Sequence, residues 1–238
     1  MTTFTPHTET LPPAQRGVWP LLSPAARMGF ALYGGTAIAL HLGHRPSVDF
    51  DFFSDLPLDR ARLAREMPVL TGADVVQDEP DAYTVVVTPE GFAGSAVKIS
   101  FFGSIDFGRV GDPEITDDGV LATASLLDLM GTKVKVLLQR TEAKDYQDIA
   151  ALMRSGVALE SGLAAARKLF GPVFQPQEAL RALTYFEGGD LDRLSRRDKD
   201  ELTGAVAEAG ALPEVRIAGY SLAPPLDLLE STRPAGLS

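Results

Sequence analysis

One short stretch constrains the fold of this chain more than any other. In Ser47–Phe53 (SVDFDFF), an extended backbone puts Val48, Phe50 and Phe52 on one side and Ser47, Asp49, Asp51 and Phe53 on the other. A strand with that alternation must bury its apolar face in a core and leave two carboxylates on the opposite face. The residues before it suit such a sheet. Met28–Tyr33 (MGFALY) predicts a short buried strand ended by Gly34-Gly35, and Thr36–Leu42 (TAIALHL) predicts a short helix with Thr36 as its N-cap.

Downstream, Leu58–Met67 has the spacing of an amphipathic helix, and Ala73–Gln77, Tyr83–Thr88 and Ala96–Phe102 predict three strands, the last two joined by a turn at Pro89-Glu90-Gly91. A loop rich in Gly and Asp (103–119) leads to helices over Ser125–Gln139 and Lys144–Met153, and helical spacing continues from Leu159 to Leu212. The expected organisation is a flexible lead-in over 1–20, a mixed α/β (α+β) core over 21–156, a helical C-terminal part over 157–222 and a tail over 223–238.

Composition narrows the chemistry. The 238 residues contain no cysteine, which removes disulfides, thiolate metal sites and thiol nucleophiles and makes an intracellular, cytoplasmic location the expectation. The longest charge-free run, Met28–His44, spans 17 residues and is broken by Gly34-Gly35, so no membrane span is expected. Net charge is −10, the wrong sign for a protein that coats nucleic acid through many phosphate contacts, although a local basic pocket remains compatible with it.

Two blocks carry chemistry. In the first, Asp49 and Asp51 stand at i and i+2 on one strand face, where two ionised carboxylates repel each other. A divalent cation relieves that repulsion. Hard oxygen ligands favour Mg²⁺, which usually completes its shell with substrate phosphates. Gly34-Gly35 and the helix start at Thr36 offer a phosphate backbone N–H groups without Cβ atoms in the way, and Arg45 and Ser47 lie beside the carboxylates. The plain alternative is an exposed acidic strand face after an ordinary glycine turn.

In the second block, Lys133 and Arg140 are two helical turns apart on one face, with Lys144, Asp145 and Asp148 following. Cations placed there suit a triphosphate; the alternative is a solvated, salt-bridged helix face. His41 and His44, three apart, lack partners for a metal site and fit core or surface positions better. The basic cluster Arg193, Arg196, Arg197 and Lys199 is interleaved with Asp192, Asp198 and Asp200, as on a solvated helix.

Together, Gly34–Phe53 (GGTAIALHLGHRPSVDFDFF) and Thr132–Leu152 (TKVKVLLQRTEAKDYQDIAAL) resemble the AbiEii-type nucleotidyltransferase toxins of type IV toxin–antitoxin pairs, a branch of the DNA polymerase β-like nucleotidyltransferases. The resemblance covers roughly residues 25–155. It implies a nucleotidyltransferase-like fold, with Asp49 and Asp51 as metal-binding catalytic residues. It also implies Gly34, Gly35 and Thr36 as the phosphate turn and Lys133 as a nucleotide contact; from their positions alone, Arg45, Ser47 and Arg140 are added as candidate phosphate contacts. Lys144, Asp145 and Asp148 match its Lys-Asp-x-x-Asp signature, Asp145 in a catalytic role.

The expected activity is Mg²⁺-dependent (or Mn²⁺-dependent) transfer of an NMP from an NTP to a hydroxyl of an RNA end or a protein, with a cognate antitoxin as partner. One departure stands out. The wider superfamily places a third carboxylate on a later strand facing the pair, and Ala96–Phe102 offers Lys98 and Ser100 there; Asp106, Asp145 and Asp148 are the substitutes in sequence. Two rival expectations therefore follow. One is a catalytically weak nucleotide- and partner-binding protein of the same fold; the other, less favoured, is an Asp-x-Asp glycosyltransferase.

Overall fold

In the computed structural model, which describes residues 2–92 and 94–225, the stretch expected to be a flexible lead-in is instead built into the protein. It holds strand β1 (Thr3–Phe4) and helix α1 (Pro13–Val18), and Leu11, Ala14, Val18 and Trp19 are buried. The reason is local chemistry that a Thr- and Pro-rich composition conceals. The few apolar side chains fall inward, Trp19 Nε1 donates to Asp118 at 2.8 Å, and the Gln15 amide donates to the Val48 carbonyl at 3.0 Å.

Helix α2 (Pro24–Arg27) then leads into strand β2 (Ala31–Tyr33), which passes directly into helix α3 (Gly34–Leu42). Strand β3 (Asp49–Phe53) and helix α4 (Arg60–Glu66, capped by Asp59) follow, then β4 (Asp74–Glu79), β5 (Ala82–Val87) and β6 (Val97–Phe102). Two strands fall in or near the stretch expected to be loop: β7 (Glu114–Thr116) and β8 (Ala122–Thr123). Both are too short for alternation to announce them.

The described strands form one mixed sheet in the order β1-β7-β8-β2-β3-β6-β5-β4. β2 runs antiparallel and β6 parallel to β3, so the Asp-bearing strand is interior to the sheet. The predicted parity holds from Asp49 to Phe53, but Val48 is half-exposed and Ser47 buried, because β3 begins only at Asp49. Phe50 and Phe52 are fully buried, Phe52 stacks on Phe101 at 5.3 Å, and Asp49, Asp51 and Phe53 share the other, partly exposed face.

The chain divides between Ala124 and Ser125, not after residue 156. Among the described residues, those up to Gly108, 112–124 and 219–225 belong with the sheet. The second unit takes Arg109–Gly111 and Ser125–Ala218 and contains helices α5 (Leu126–Val136), α6 (Ala143–Arg154), α7 (Leu159–Phe170), α8 (Pro176–Thr184) and α9 (Arg196–Glu208). Ser125 caps α5, accepting from Asp128 N–H at 3.1 Å. Helices α5 and α7 meet closely: a Cβ on Gly162 would stand 2.2 Å from Met130 Cγ, and one on Gly131 3.2 Å from Ala165 Cβ. On α9, Arg197 pairs with Glu201 at 2.7 Å and Arg196 with Asp200 at 3.6 Å, the salt-bridged arrangement expected of a solvated face. Of the expected tail, Ala223 is buried and residues 226–238 lie outside the described residues.

His41 is a half-buried residue of the sheet unit. Its ring stacks on Phe4 with centroids 3.7 Å apart, and Nε2 lies 2.8 Å from Thr123 Oγ1. Burial pushes its pKa down from 6.5 to about 4. A folded-state pKa below the unfolded value gives stability that is present above pH 6.5 and lost as pH falls toward 4, because only the unfolded chain takes up the proton in that window. The expected loss is about 3 kcal/mol. Urea midpoints of wild type and His41→Gln, compared at pH 7.5 and 4.5, check this; the variant should lose that part of the pH dependence.

Candidate functional site: an Asp-x-Asp strand beside a glycine turn, and a buried lysine triad

The first candidate site lies wholly in the sheet unit. Tyr33 of β2 pairs with Asp51 of β3, and the next residue, Gly34, opens α3. Gly34 has φ +75°, and a Cβ there would stand 3.0 Å from Asp51 Oδ2. Glycine is required on both counts: the left-handed backbone disfavours a side chain, and a methyl group would press on the carboxylate. No side-chain cap closes the N-terminus of α3 at Tyr33. The helix thus begins beside Asp51 with its positive end toward the strand's carboxylate face, an arrangement that favours an anion. Gly34→Ala is expected to cost about 1–2 kcal/mol, the left-handed penalty for an L-residue, read as a lower urea midpoint.

Thr36 is not the N-cap, because the helix starts two residues earlier. It is 2% exposed; its hydroxyl lies 2.7 Å from Ser47 Oγ and donates to the Asp49 carbonyl, while Ser47 N–H donates to Thr10 O at 3.2 Å. Thr36 and Ser47 therefore tie α3 to the start of β3. Arg45, on the connecting loop, donates to the Pro46 carbonyl at 2.9 Å.

Across β6, Asp49 stands in register with Lys98 and Asp51 with Ser100. Lys98 Nζ is 3.2 Å from Asp49 Oδ2, and both side chains are part-exposed (43% and 36%). Ser100 is 3% exposed and pairs in register with Thr84 of β5. The position that would face the carboxylates from the neighbouring strand thus carries a cation and a buried hydroxyl. Sequence reasoning noticed Lys98 only as a missing acid. The signal that identifies it is parity, since Val97, Ile99 and Phe101 are buried and Lys98 must then share the carboxylate face.

The second cluster lies in the helical unit. Lys133, in the last turn of α5, reaches Asp145 Oδ1 and Asp148 Oδ2 of α6, each at 2.7 Å. Its side chain is 5% exposed and both aspartates are 0% exposed. Arg140, between the helices, donates to Asp145 through Nε at 2.8 Å and Nη2 at 3.1 Å. Burial pushes the Asp145 carboxyl up, but the Arg140 hydrogen bond and the Lys133 charge outweigh it and hold the group below the usual carboxylate range. Lys144 takes no part: α5 ends at Val136, so the face does not continue, and Lys144 pairs on the surface with Glu142 at 2.8 Å.

The structure therefore brings Asp49, Asp51 and Gly34 together in one unit, and Lys133, Arg140, Asp145 and Asp148 together in the other. Asp106, the one substitute for a third acid in the sheet unit, is an exposed loop residue, and among the described residues no group of three or more His, Asp or Glu side chains converges as a metal site. The donor set that remains, two half-exposed carboxylates on one face, still fits Mg²⁺, which is commonly held by one or two carboxylates with substrate phosphates and water completing the octahedron.

This sheet, with its glycine turn and Asp-x-Asp strand, is the fold of nucleotidyltransferase toxins. MenT4, a nucleotidyltransferase toxin from Mycobacterium tuberculosis H37Rv, matches with a TM-score of 0.55 over 83% of each chain at 14% identity. Residues 21–216 match the family described as nucleotidyl transferase AbiEii toxin, type IV TA system, and the chain belongs to that family. The match extends through α9, well beyond the residues that carried the resemblance in sequence. An uncharacterized protein of Aquifex aeolicus (strain VF5) is 32% identical over 127 residues, 52% of this chain; the chain spans 58% of that relative's length.

Proposed function

We infer that the protein transfers an NMP from an NTP to an acceptor hydroxyl, on an RNA end or a protein, as the toxin of a type IV toxin–antitoxin pair with an antitoxin as partner. The observation that carries this reading is the pairing of Asp51 with the Gly34 turn, in a chain of the AbiEii family. Asp49 and Asp51 would hold Mg²⁺ (or Mn²⁺), which when bound supplies charge neutralisation to the triphosphate. Gly34 and Gly35 let phosphate oxygens approach the N-terminus of α3, and Thr36 and Ser47 fix that helix to the carboxylate strand.

In the reaction, an acceptor oxygen forms a bond to the α-phosphorus while the bond to the bridging oxygen of the β-phosphate breaks, and the acceptor proton passes to a base. Holding donor and acceptor in line is the main contribution of such a site. The basic residues that the resemblance assigns to the nucleotide are not equivalent. The Lys133 ammonium is engaged by two buried carboxylates, which gives Lys133 and Asp145 a positioning role, while Arg140 and Lys144 are about half-exposed (43% and 47%) and pair with Asp145 and Glu142. The use of NTPs as donors suits a cytoplasmic activity under this reading. Among the described residues, no single helix is long and apolar enough to cross a membrane.

A second reading is favoured by Lys98 and Ser100. With a cation and a buried hydroxyl facing the Asp pair, the site would bind nucleotide and turn it over poorly, leaving partner binding as the function. Incubation with each α-³²P-labelled NTP, Mg²⁺ and total cellular RNA separates the two. Label entering RNA or protein from one nucleotide supports transfer. Nucleotide binding with no labelled product from any acceptor supports the second reading.

A further inference from the structure

Lys98 and Asp49 occupy facing register positions on parallel strands β6 and β3, and their charged atoms are 3.2 Å apart. The same strand face carries Asp51 beside the Gly34 turn, with Ser100 in register across from it. The two carboxylates and the ammonium give this face a formal charge of −1, and the ammonium lies on one of the carboxylate oxygens a divalent cation would need. Like charges a few ångströms apart cannot share that oxygen cheaply, even in a water-like dielectric. Lys98 is also part-exposed on a flexible four-carbon stem, so it can leave Asp49 without unpacking the core.

We propose that Lys98 is a built-in stand-in for the divalent cation, which holds Asp49 until the cation binds and makes metal binding wait for the nucleotide. Resting on the nucleotidyltransferase reading above, this inference assigns a residue and a binding order that the reading alone does not supply. Without nucleotide, a divalent cation must displace the ammonium from Asp49 with no phosphate to receive it. When a triphosphate arrives with the metal, it brings about four negative charges, and the displaced ammonium turns to a phosphate oxygen. Metal and nucleotide thereby bind with positive coupling, and the coupling passes through one side chain.

The test is equilibrium binding of Mn²⁺ alone, followed by the paramagnetic resonance of the free aqueous ion, without and then with each of the four α,β-methylene NTP analogues. Wild type, Lys98→Met, Lys98→Arg and Asp49→Asn are compared after circular dichroism has shown that each is folded. The expected result is weak Mn²⁺ binding by wild type that tightens with the analogue. Lys98→Met should bind Mn²⁺ alone at least about tenfold more tightly and so narrow that gap, the factor that even a solvent-screened ion pair of this length can supply. Lys98→Arg, which keeps the charge, should behave as wild type.

Lys98→Met binding Mn²⁺ no more tightly than wild type, or Lys98→Arg matching Lys98→Met, overturns the stand-in role. Mn²⁺ binding that is unaffected by Asp49→Asn removes the metal reading itself, and this inference with it. The two failures are distinguishable because an Asp49-dependent ion that ignores Lys98 leaves the first reading standing.

Discussion

Lys133→Met is expected to lose roughly 3–5 kcal/mol of folding stability, the usual cost of removing one partner from a buried ion pair. The side chain is 5% exposed and its ammonium is the shared counter-ion of Asp145 and Asp148, both completely buried. Asp145 keeps Arg140 after the substitution. Two results follow. Adding Asp148→Asn to Lys133→Met should recover part of the loss, because a neutral amide is cheaper to bury than a carboxylate that has lost its ammonium. The deficit should also shrink as pH falls below the ordinary Asp value of 3.8, because the wild type then loses the stability that goes with an Asp145 carboxyl held below the usual range. Urea unfolding at pH 7 and at about pH 3 measures both. A loss below about 1 kcal/mol, the size of a surface pair, would contradict the burial of the triad.

The opposite pattern is expected for Asp49→Asn. Its carboxylate is part-exposed and its one described ion pair is with an equally solvated lysine, so the stability change should stay within about 1 kcal/mol. Transfer activity, by contrast, should fall by at least about a hundredfold, equivalent to about 3 kcal/mol of transition-state stabilisation lost with a metal ligand. Loss of activity without loss of fold at Asp49, set against loss of fold at Lys133, separates a residue that touches the reacting groups from one that holds the scaffold.

The candidate site was legible in sequence where local geometry alone determines it. The parity of Ser47–Phe53 identified which face bears Asp49 and Asp51, and Gly34-Gly35 marked a turn where a side chain would collide with Asp51. The family resemblance was also present in the two motifs, and the family match extends it to residue 216.

What remained hidden depends on residues distant in sequence. Lys133 and Arg140 share a helical spacing that fits a solvated face equally well; only the return of α6, which presents Asp145 and Asp148 three residues apart, buries the lysine. Lys98 became informative only through its register with Asp49, which no local pattern encodes. Strands of two or three residues such as β1, β7 and β8 carry no period, and the N-terminal segment that seats β1 and α1 has too few apolar residues for composition to reveal its burial.

The central claim is that the Asp49–Asp51 face carries nucleotidyl transfer, and one measurement addresses it most directly. Purified protein, Mg²⁺, cellular RNA and the preferred α-³²P-labelled NTP are incubated while acceptor labelling and pyrophosphate release are followed together, with folded Asp49→Asn alongside. The account predicts equal amounts of transferred label and released pyrophosphate in wild type, and loss of both in the variant. Label transfer that persists undiminished in Asp49→Asn, or nucleotide consumption without matching pyrophosphate, would contradict it.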